Sequence, residues 1–377
     1  MAERVWPVWE GRRYLYDRAP FLVYLEITRA CDLACRHCRA EAIPWRHPEE
    51  LSTTEVRGLL EDLGRFPRRP HLVITGGDPL KRPDLWEILA TARALGQPVS
   101  LTPSTTPTLT PAVIERLRTV GLASLALSLD GATPATHEAI RGVEGSFRWA
   151  QTALAAALET GLKVQINTLV CRETMADLPA LYGFLRSRPI LRWSLFFLIR
   201  TGRGRVMQEV APTEAEDLMA WLLDLGEEAH FEIKVTEAHH YRRLAIQRSQ
   251  SGESPRPLSP AIRRGFGVRD GNGVVFISHR GDVYPSGFLP IPVGNIRRQS
   301  LVTIYQSAPL LQALRRPDGF YGKCGRCLFR EVCGGSRARA FAATGNPLAS
   351  DPLCPYQPPR DAALAGQHPS ASERPVR

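Results

Sequence analysis

From residue 21 to residue 198 the chain alternates short, β-branched apolar runs with longer segments of helical period, and this alternation limits the possible folds more than any other feature. The strand-length runs are 21–27, 72–74, 99–101, 122–129, 164–170 and 193–198. Helical spacing recurs over 54–63, 83–95, 111–120, 147–160, 175–188 and 213–229. Ser52 and Thr53 ahead of Glu55, Pro83 with Asp84, and Thr110 with Pro111 mark three of the helix starts. Such βα repeats predict right-handed crossovers and an α/β fold, with a parallel sheet covered by helices and wholly or partly closed as a barrel. Sites in that architecture lie at the carboxyl ends of the strands.

The pattern fades beyond about residue 234. Residues 247–259 are polar and rich in Ser and Pro, which reads as a loop or linker. A hairpin is expected over 273–278 and 282–284, turned at His279-Arg280-Gly281, followed by a helix over 301–314. The expected organisation is an N-terminal extension (1–20), a barrel (21–245), a linker (246–265), a smaller cysteine-rich domain (266–356) and a disordered tail (357–377).

Composition narrows the partners. Hydrophobic residues are 44% and charged residues 23%, and no run approaches the roughly 18 apolar residues of a membrane helix, so no membrane partner is expected. Met1 to Pro7 carries charges and a proline where a signal peptide would be apolar, which predicts a cytoplasmic protein. Lys plus Arg is 48 against 38 for Asp plus Glu, a net charge of +10. The arginines are scattered and do not interleave with aromatics, so nucleic acid is not expected, whereas an anionic small molecule suits the charge.

Eight cysteines in a reducing compartment call for metal chemistry rather than disulfides. Cys31, Cys35 and Cys38 follow the first strand as C-x3-C-x2-C. Three thiolates on one tight loop can hold three irons of a cubane cluster and leave the fourth iron open. A closed zinc site would want a fourth ligand, and His37 is confined between two of the cysteines. Cys324, Cys327, Cys333 and Cys354 form C-x2-C-x5-C-x20-C, enough for every iron of a second cluster or for a four-cysteine zinc site. Cys171 reads as a small buried hydrophobe.

The segment from Leu25 through Cys31, Cys35 and Cys38 to Ala40 resembles the opening of radical S-adenosylmethionine (radical SAM) enzymes. The resemblance implies a partial (β/α)6 TIM-like barrel holding a [4Fe–4S] cluster with SAM, whose reductive cleavage gives a 5′-deoxyadenosyl radical. Gly76-Gly77-Asp78-Pro79 resembles the family's Gly-Gly-Glu-Pro motif, whose backbone receives the SAM amino group, with Asp in place of Glu. Ser128-Leu129-Asp130-Gly131 with His137 to Gly142 is similar to the carboxylate and ribose contacts. By that resemblance Ser128 and Arg141 meet the carboxylate and Asp130 lies nearby, while Thr102, Ser104 and Asn167 are ribose neighbours. The bland alternative for Arg141 is a helix cap.

Gly281 to Pro285, Gly294-Asn295-Ile296, the second cysteine group and Gly334-Gly335 look like the SPASM or twitch extension of the same enzymes. This resemblance favours iron over zinc. Ser286 stands where the first of seven SPASM cysteines is usual, so one auxiliary [4Fe–4S] cluster is implied. The cysteine pattern is most similar to the haem-biosynthesis branch (the NirJ, AhbC and AhbD type), which remodels or decarboxylates side chains of sirohaem-derived tetrapyrroles and iron-coproporphyrin. The implied partners are an anionic tetrapyrrole and an electron donor such as flavodoxin or ferredoxin. Alternatives are a maturase acting on a ribosomally made peptide and a non-enzymatic iron–sulfur redox carrier. His239, His240 and Tyr241 follow a strand-like stretch at 231–235. They are expected near the barrel mouth as substrate-side candidates, with at most one histidine facing inward and Tyr241 as a relay, or else on a partly exposed loop.

Overall fold

The computed structural model describes residues 16–252 and 257–359. Most of the expected N-terminal extension and tail, and the middle of the linker, lie outside these residues. Seven parallel strands follow one another around the sheet: β1 (Leu22–Glu26), β2 (His71–Thr75), β3 (Val99–Leu101), β4 (Ser124–Ser128), β5 (Val164–Val170), β6 (Arg192–Phe197) and β7 (Glu232–Thr236). The first six are the expected strands, and the strand-like stretch at 231–235 supplies the seventh. Between them run α1 (Thr53–Leu63), α2 (Leu85–Ala94), α3 (Pro111–Thr119), α4 (Pro134–Arg141), α5 (Ser146–Glu159), α6 (Leu178–Leu185) and α7 (Pro212–Glu228).

Local chemistry sets these boundaries. Ser52 caps α1 in a reciprocal capping box, accepting from Glu55 N at 3.2 Å while its own N–H donates to Glu55 Oε2 at 2.7 Å. Thr133 caps α4 and Pro134 opens it, while Gly142 ends it in the left-handed conformation at φ 69°. The strands alternate: Val23, Leu25, Ile74, Ile166, Leu195, Ile233 and Val235 face outward into the main apolar core under the helices. Their neighbours in sequence face the barrel interior.

Past the barrel come α8 (Tyr241–Ser251), α9 (Pro260–Arg264), β8 (Arg269–Asp270), β9 (Gly273–Ile277), β10 (Asp282–Tyr284), β11 (Gly294–Asn295), α10 (Leu301–Ser307), α11 (Pro309–Leu314), α12 (Gly322–Arg326) and α13 (Arg337–Thr344). The stretch read as a loop from residue 247 continues as helix to Ser251, because Ala245 and Ile246 are buried and Arg248 binds the Ala220 carbonyl and Asp224 of α7. The helix expected over 301–314 is two helices, since Pro309 has no N–H to carry the ladder onward. The expected hairpin is present as β9 and β10. Its first strand also pairs in parallel with β1, Leu22 opposite Val274, so one sheet crosses the boundary expected at residues 246–265. Among the described residues no helix is long and apolar enough to cross a membrane.

Candidate radical SAM site and second cysteine site

The loop after β1 is pinned at its base. Cys31 N donates to the Ile43 carbonyl at 2.8 Å and Ile43 N to the Arg29 carbonyl at 3.0 Å, while Thr28 Oγ1 donates to Glu50 Oε1 at 2.6 Å. Cys31 and Cys35 are buried, and Cys38 packs against them with Leu33, Ala42, Val143 and Trp149. Burial pushes the Cys31 and Cys35 thiols up, so neither would hold a bare negative charge cheaply. His37 is not a fourth ligand on this face. Burial and the charge of Arg141 hold its imidazole down to about 4, and it lies toward Asp130, Arg203 and His137. A three-sulfur donor set packed in one pocket fits three irons of an open cubane.

Gly76 and Gly77 are required by close approach. A Cβ at Gly77 would stand 2.4 Å from the Ala30 carbonyl oxygen, and one at Gly76 2.6 Å from that of Thr28. Gly77 N and Asp78 N donate to those same two carbonyls, at 2.8 Å from Thr28 and 2.6 Å from Ala30, which fixes the second motif against the cysteine loop. Asp78 caps the short turn at Pro79, accepting from Leu80 N at 3.1 Å, and burial raises its carboxyl to about 6. Ser104 joins the two motifs: its hydroxyl is 3.2 Å from Cys31 Sγ and 2.9 Å from the Gly77 carbonyl. Thr102 follows β3, its N–H bound to the Ile74 carbonyl at 2.9 Å.

Arg141 is not a helix cap. It turns inward from the last turn of α4, with Nη2 2.6 Å from Asp130 Oδ2 and Nη1 3.7 Å from Cys35 Sγ. Asp130 is fully enclosed. Burial alone would raise its carboxyl, but Arg141 holds it below the usual range, and Oδ1 accepts from Leu169 N at 2.8 Å. Arg141 thus reaches the first cysteine site paired with the Asp130 carboxylate. Ser128 on β4 and Asn167 on β5 are in register on the interior face. Cys171 is buried with Ile140, Leu169, Leu198 and Met207, as expected of a small hydrophobe.

The second cysteine group converges despite its spacing. Cys324, Cys327, Cys333 and Cys354 line one hollow with His240, Arg243 and Lys323. Gly334 and Gly335 are both left-handed, at φ 69° and 66°, and a Cβ on Gly335 would lie 3.3 Å from Cys324 Sγ. Donors surround the sulfurs: Gly335 N to Cys333 at 3.4 Å, Asp351 N to Cys324 at 3.4 Å, and Arg337 Nη2 to Cys324 at 3.6 Å. Four sulfurs lining one hollow and ringed by N–H donors fit a cubane cluster.

His239, His240 and Tyr241 are buried just past the carboxyl end of β7, at the start of α8, rather than exposed on a loop. His240 faces the second cysteine hollow, and burial lowers it to about 3. His239 lies with Glu237 and Asp270, its ring nitrogens unpartnered. Tyr241 belongs to the main apolar core, where burial raises its phenol, so a relay role has no support in its surroundings. Sequence reasoning missed Arg337, fully buried at the second site. Its place just after Gly334-Gly335-Ser336 was the available signal.

Residues 25–185 match the radical SAM superfamily model, and residues 269–328 match SPASM, an iron–sulfur cluster-binding domain. An AdoMet-dependent heme synthase from Nitratidesulfovibrio vulgaris is 35% identical over 365 residues, covering 94% of this chain and 98% of that protein. The chain belongs to the radical SAM superfamily. A second relative of this radical SAM enzyme is a pre-heme d1 synthase from Dinoroseobacter shibae, 29% identical over 88% of this chain and 85% of that protein. Among solved structures, Streptococcus suis SuiB bound to S-adenosylmethionine superposes with a TM-score of 0.68 at 18% identity, covering 89% of this chain and 77% of that one. Native anSMEcpe with bound AdoMet gives 0.63 at 15% identity, covering 86% and 91%. Both share the radical SAM fold. The partial barrel with a SPASM region is therefore the architecture of this enzyme, with a [4Fe–4S] cluster and SAM as its cofactors.

Proposed function

We propose that this radical SAM enzyme takes a hydrogen atom from a carboxylate-bearing side chain of an anionic iron tetrapyrrole and decarboxylates it. The observation that carries this reading is the 35% identity to an AdoMet-dependent heme synthase along nearly the full length of both chains. When bound, the first cluster with SAM supplies a 5′-deoxyadenosyl radical, and a single auxiliary cluster at Cys324, Cys327, Cys333 and Cys354 supplies a one-electron acceptor or donor. Loss of one hydrogen atom, one electron and CO2 from a propionate would leave a vinyl group.

The chain's own residues do the positioning. Ser104 and the Gly76–Gly77 backbone hold the cysteine loop against the second motif. Ser128 and Asn167, with Thr102 above β3, offer the interior polar groups for SAM, while Arg141 holds its charge beside Cys35. The helices outside the sheet and the apolar core beneath them keep water from the barrel wall. Flavodoxin or ferredoxin is the proposed class of reductant, and the cytoplasm the proposed compartment.

Anaerobic reconstitution with iron counting tests this, followed by assay of the reduced enzyme for 5′-deoxyadenosine and for conversion of iron-coproporphyrin III. About eight irons, conversion of the porphyrin, and loss of SAM cleavage only in the Cys31/Cys35/Cys38 triple alanine variant are expected. Zinc at the C-terminal site would overturn the auxiliary cluster. SAM cleavage that is stimulated by a peptide and not by the porphyrin would replace the substrate reading with peptide maturation.

A further inference from the structure

Residues in register on neighbouring parallel strands share a face, so the barrel interior is built in tiers. One tier comprises Ala126, Gln165, Arg192 and Glu232 on β4 to β7. Its polar members satisfy one another. Arg192 donates to Gln165 Oε1 at 3.1 Å and to Glu232 Oε2 at 3.0 Å, and Gln165 Nε2 donates to Asn167 Oδ1 at 2.7 Å. Nearby, His71, Ser100 and Ser124 form a closed chain at 2.8 and 2.6 Å.

The next tier, toward the carboxyl ends, is Ser128, Asn167, Ser194 and Lys234. Lys234 lies between Ile233 and Val235, which face the outer core, so its side chain enters the interior. Its ammonium makes no hydrogen bond and no ion pair among the described residues. Ser194 beside it and Thr236, two residues further along β7, carry buried hydroxyls that also lack a partner. The contrast with the closed tier below is the signal: the buried Ser194 and Thr236 hydroxyls are costly to leave unpaired unless a ligand meets them, and the ammonium of half-buried Lys234 stands open beside them.

We propose that Lys234, with the Ser194 and Thr236 hydroxyls, anchors a carboxylate of the substrate inside the barrel. The charge balance selects the ligand. Glu232 already serves Arg192 and Arg264, so Lys234 is left as a cation with no carboxylate of its own, suited to an anionic carboxylate from outside the chain. The groups around Lys234 agree. Burial, then Arg192 and Arg242, hold its ammonium down to about 8, opposed by Glu232 alone, and the Lys234 charge also lowers His71 across the interior. Asn167, proposed above to face SAM, lies two strands from Lys234 in the same tier, a separation of about 10 Å. That spacing would set a side chain held by Lys234 beside the reacting centre.

The identity of the probe rests on the tetrapyrrole reading, whereas the carboxylate chemistry rests on the tier itself. Reconstituted full-length enzyme is titrated with iron-coproporphyrin III, followed by its Soret band, with Lys234→Met, Lys234→Arg and Ser194→Ala alongside. Iron content and thermal midpoint check that each variant is folded. Lys234→Met should weaken binding about tenfold or more and raise KM far more than it lowers kcat, with Lys234→Arg recovering most of the loss. Equal binding by wild type and Lys234→Met would overturn the anchor. If wild type ignores the porphyrin, the substrate reading fails and the anchor is decided separately, by limited reductive methylation read by mass spectrometry. Propionate at about 0.1 M should then protect Lys234 at least about twofold relative to exposed Lys163, and unchanged labelling of Lys234 would refute the site.

Discussion

The two cysteine sites are built in opposite ways. The first gathers three thiols within eight residues on one loop, and its walls are mostly backbone: glycines stapled to carbonyls, and an N–H pinned at each side of the loop base. The second gathers four thiols spread from residue 324 to residue 354, and beside the Gly335 and Asp351 N–H groups it is walled by cationic side chains from several elements, Arg243 on α8, Lys323 on α12 and Arg337 on α13. A site of the first kind is specified by a short stretch of sequence. A site of the second kind exists only when distant helices have docked, so perturbations of packing should empty it first.

The strongest test of that contrast is Arg337→Met. The guanidinium donates to the carbonyls of Gly335, Pro347 and Ala349 and to Cys324 Sγ, so its loss orphans several buried acceptors. We expect a destabilisation of about 4 kcal/mol, visible in chemical denaturation, and loss of C-terminal iron with SAM cleavage retained. Equal loss of both clusters would show that the sites are not independent.

Arg141→Gln comes next, at about 3 kcal/mol, because it strands the buried Asp130 carboxylate. The sign with pH reverses in the variant. In wild type the depressed Asp130 contributes stability that is present above the normal carboxyl range and lost as pH falls through the lowered pKa. Without Arg141, burial dominates and raises that pKa, so the variant loses stability as pH rises from acid to neutral. Adding Asp130→Asn should flatten this dependence, as followed by thermal melts across pH.

Gly77→Ala should cost about 2 kcal/mol, because its Cβ meets the Ala30 carbonyl oxygen and must push the cysteine loop aside. The first cluster should then load poorly while the second loads normally: iron falls toward about four in Gly77→Ala alone and toward none when Cys324/Cys327→Ala is added. Glu55→Gln should have the smallest effect, a few tenths of a kcal/mol, since the Glu55–Arg297 pair is largely exposed. Arg297 and the Ser52 cap hold Glu55 down to about 2 from the usual 4.5, so wild type gains that increment above pH 4.5 and loses it between about 4.5 and 2. The variant should show no such slope.

Much of this was legible in the sequence, for identifiable reasons. Apolar alternation located β1 to β6, and the loop site could be read because all three ligands lie in one short motif. What escaped depends on register or docking. Helix α4 was passed over because only eight residues carry it, yet it delivers Arg141. The burial of His239 to Tyr241 is not legible locally, because the C-terminal elements packed over α8 produce it. Nothing local marks Lys234 within its strand. Its significance rests on four strands aligning Ser128, Asn167, Ser194 and Lys234, which no local pattern encodes.

The pairing of β9 with β1 also has a consequence for biogenesis. Leu22 and Val274 are neighbours in space but about 250 residues apart in the chain. At a ribosomal rate of about 5–20 residues per second, β1 waits roughly 13–50 s with one edge uncovered before its partner is synthesised. During that interval the first cysteine loop hangs from a strand that is zipped on one side only, open to mispairing with other nascent chains. The edge of the strand that carries the first cysteine loop is closed only once the C-terminal third has emerged, so the last part of the protein to be made completes the support of the first.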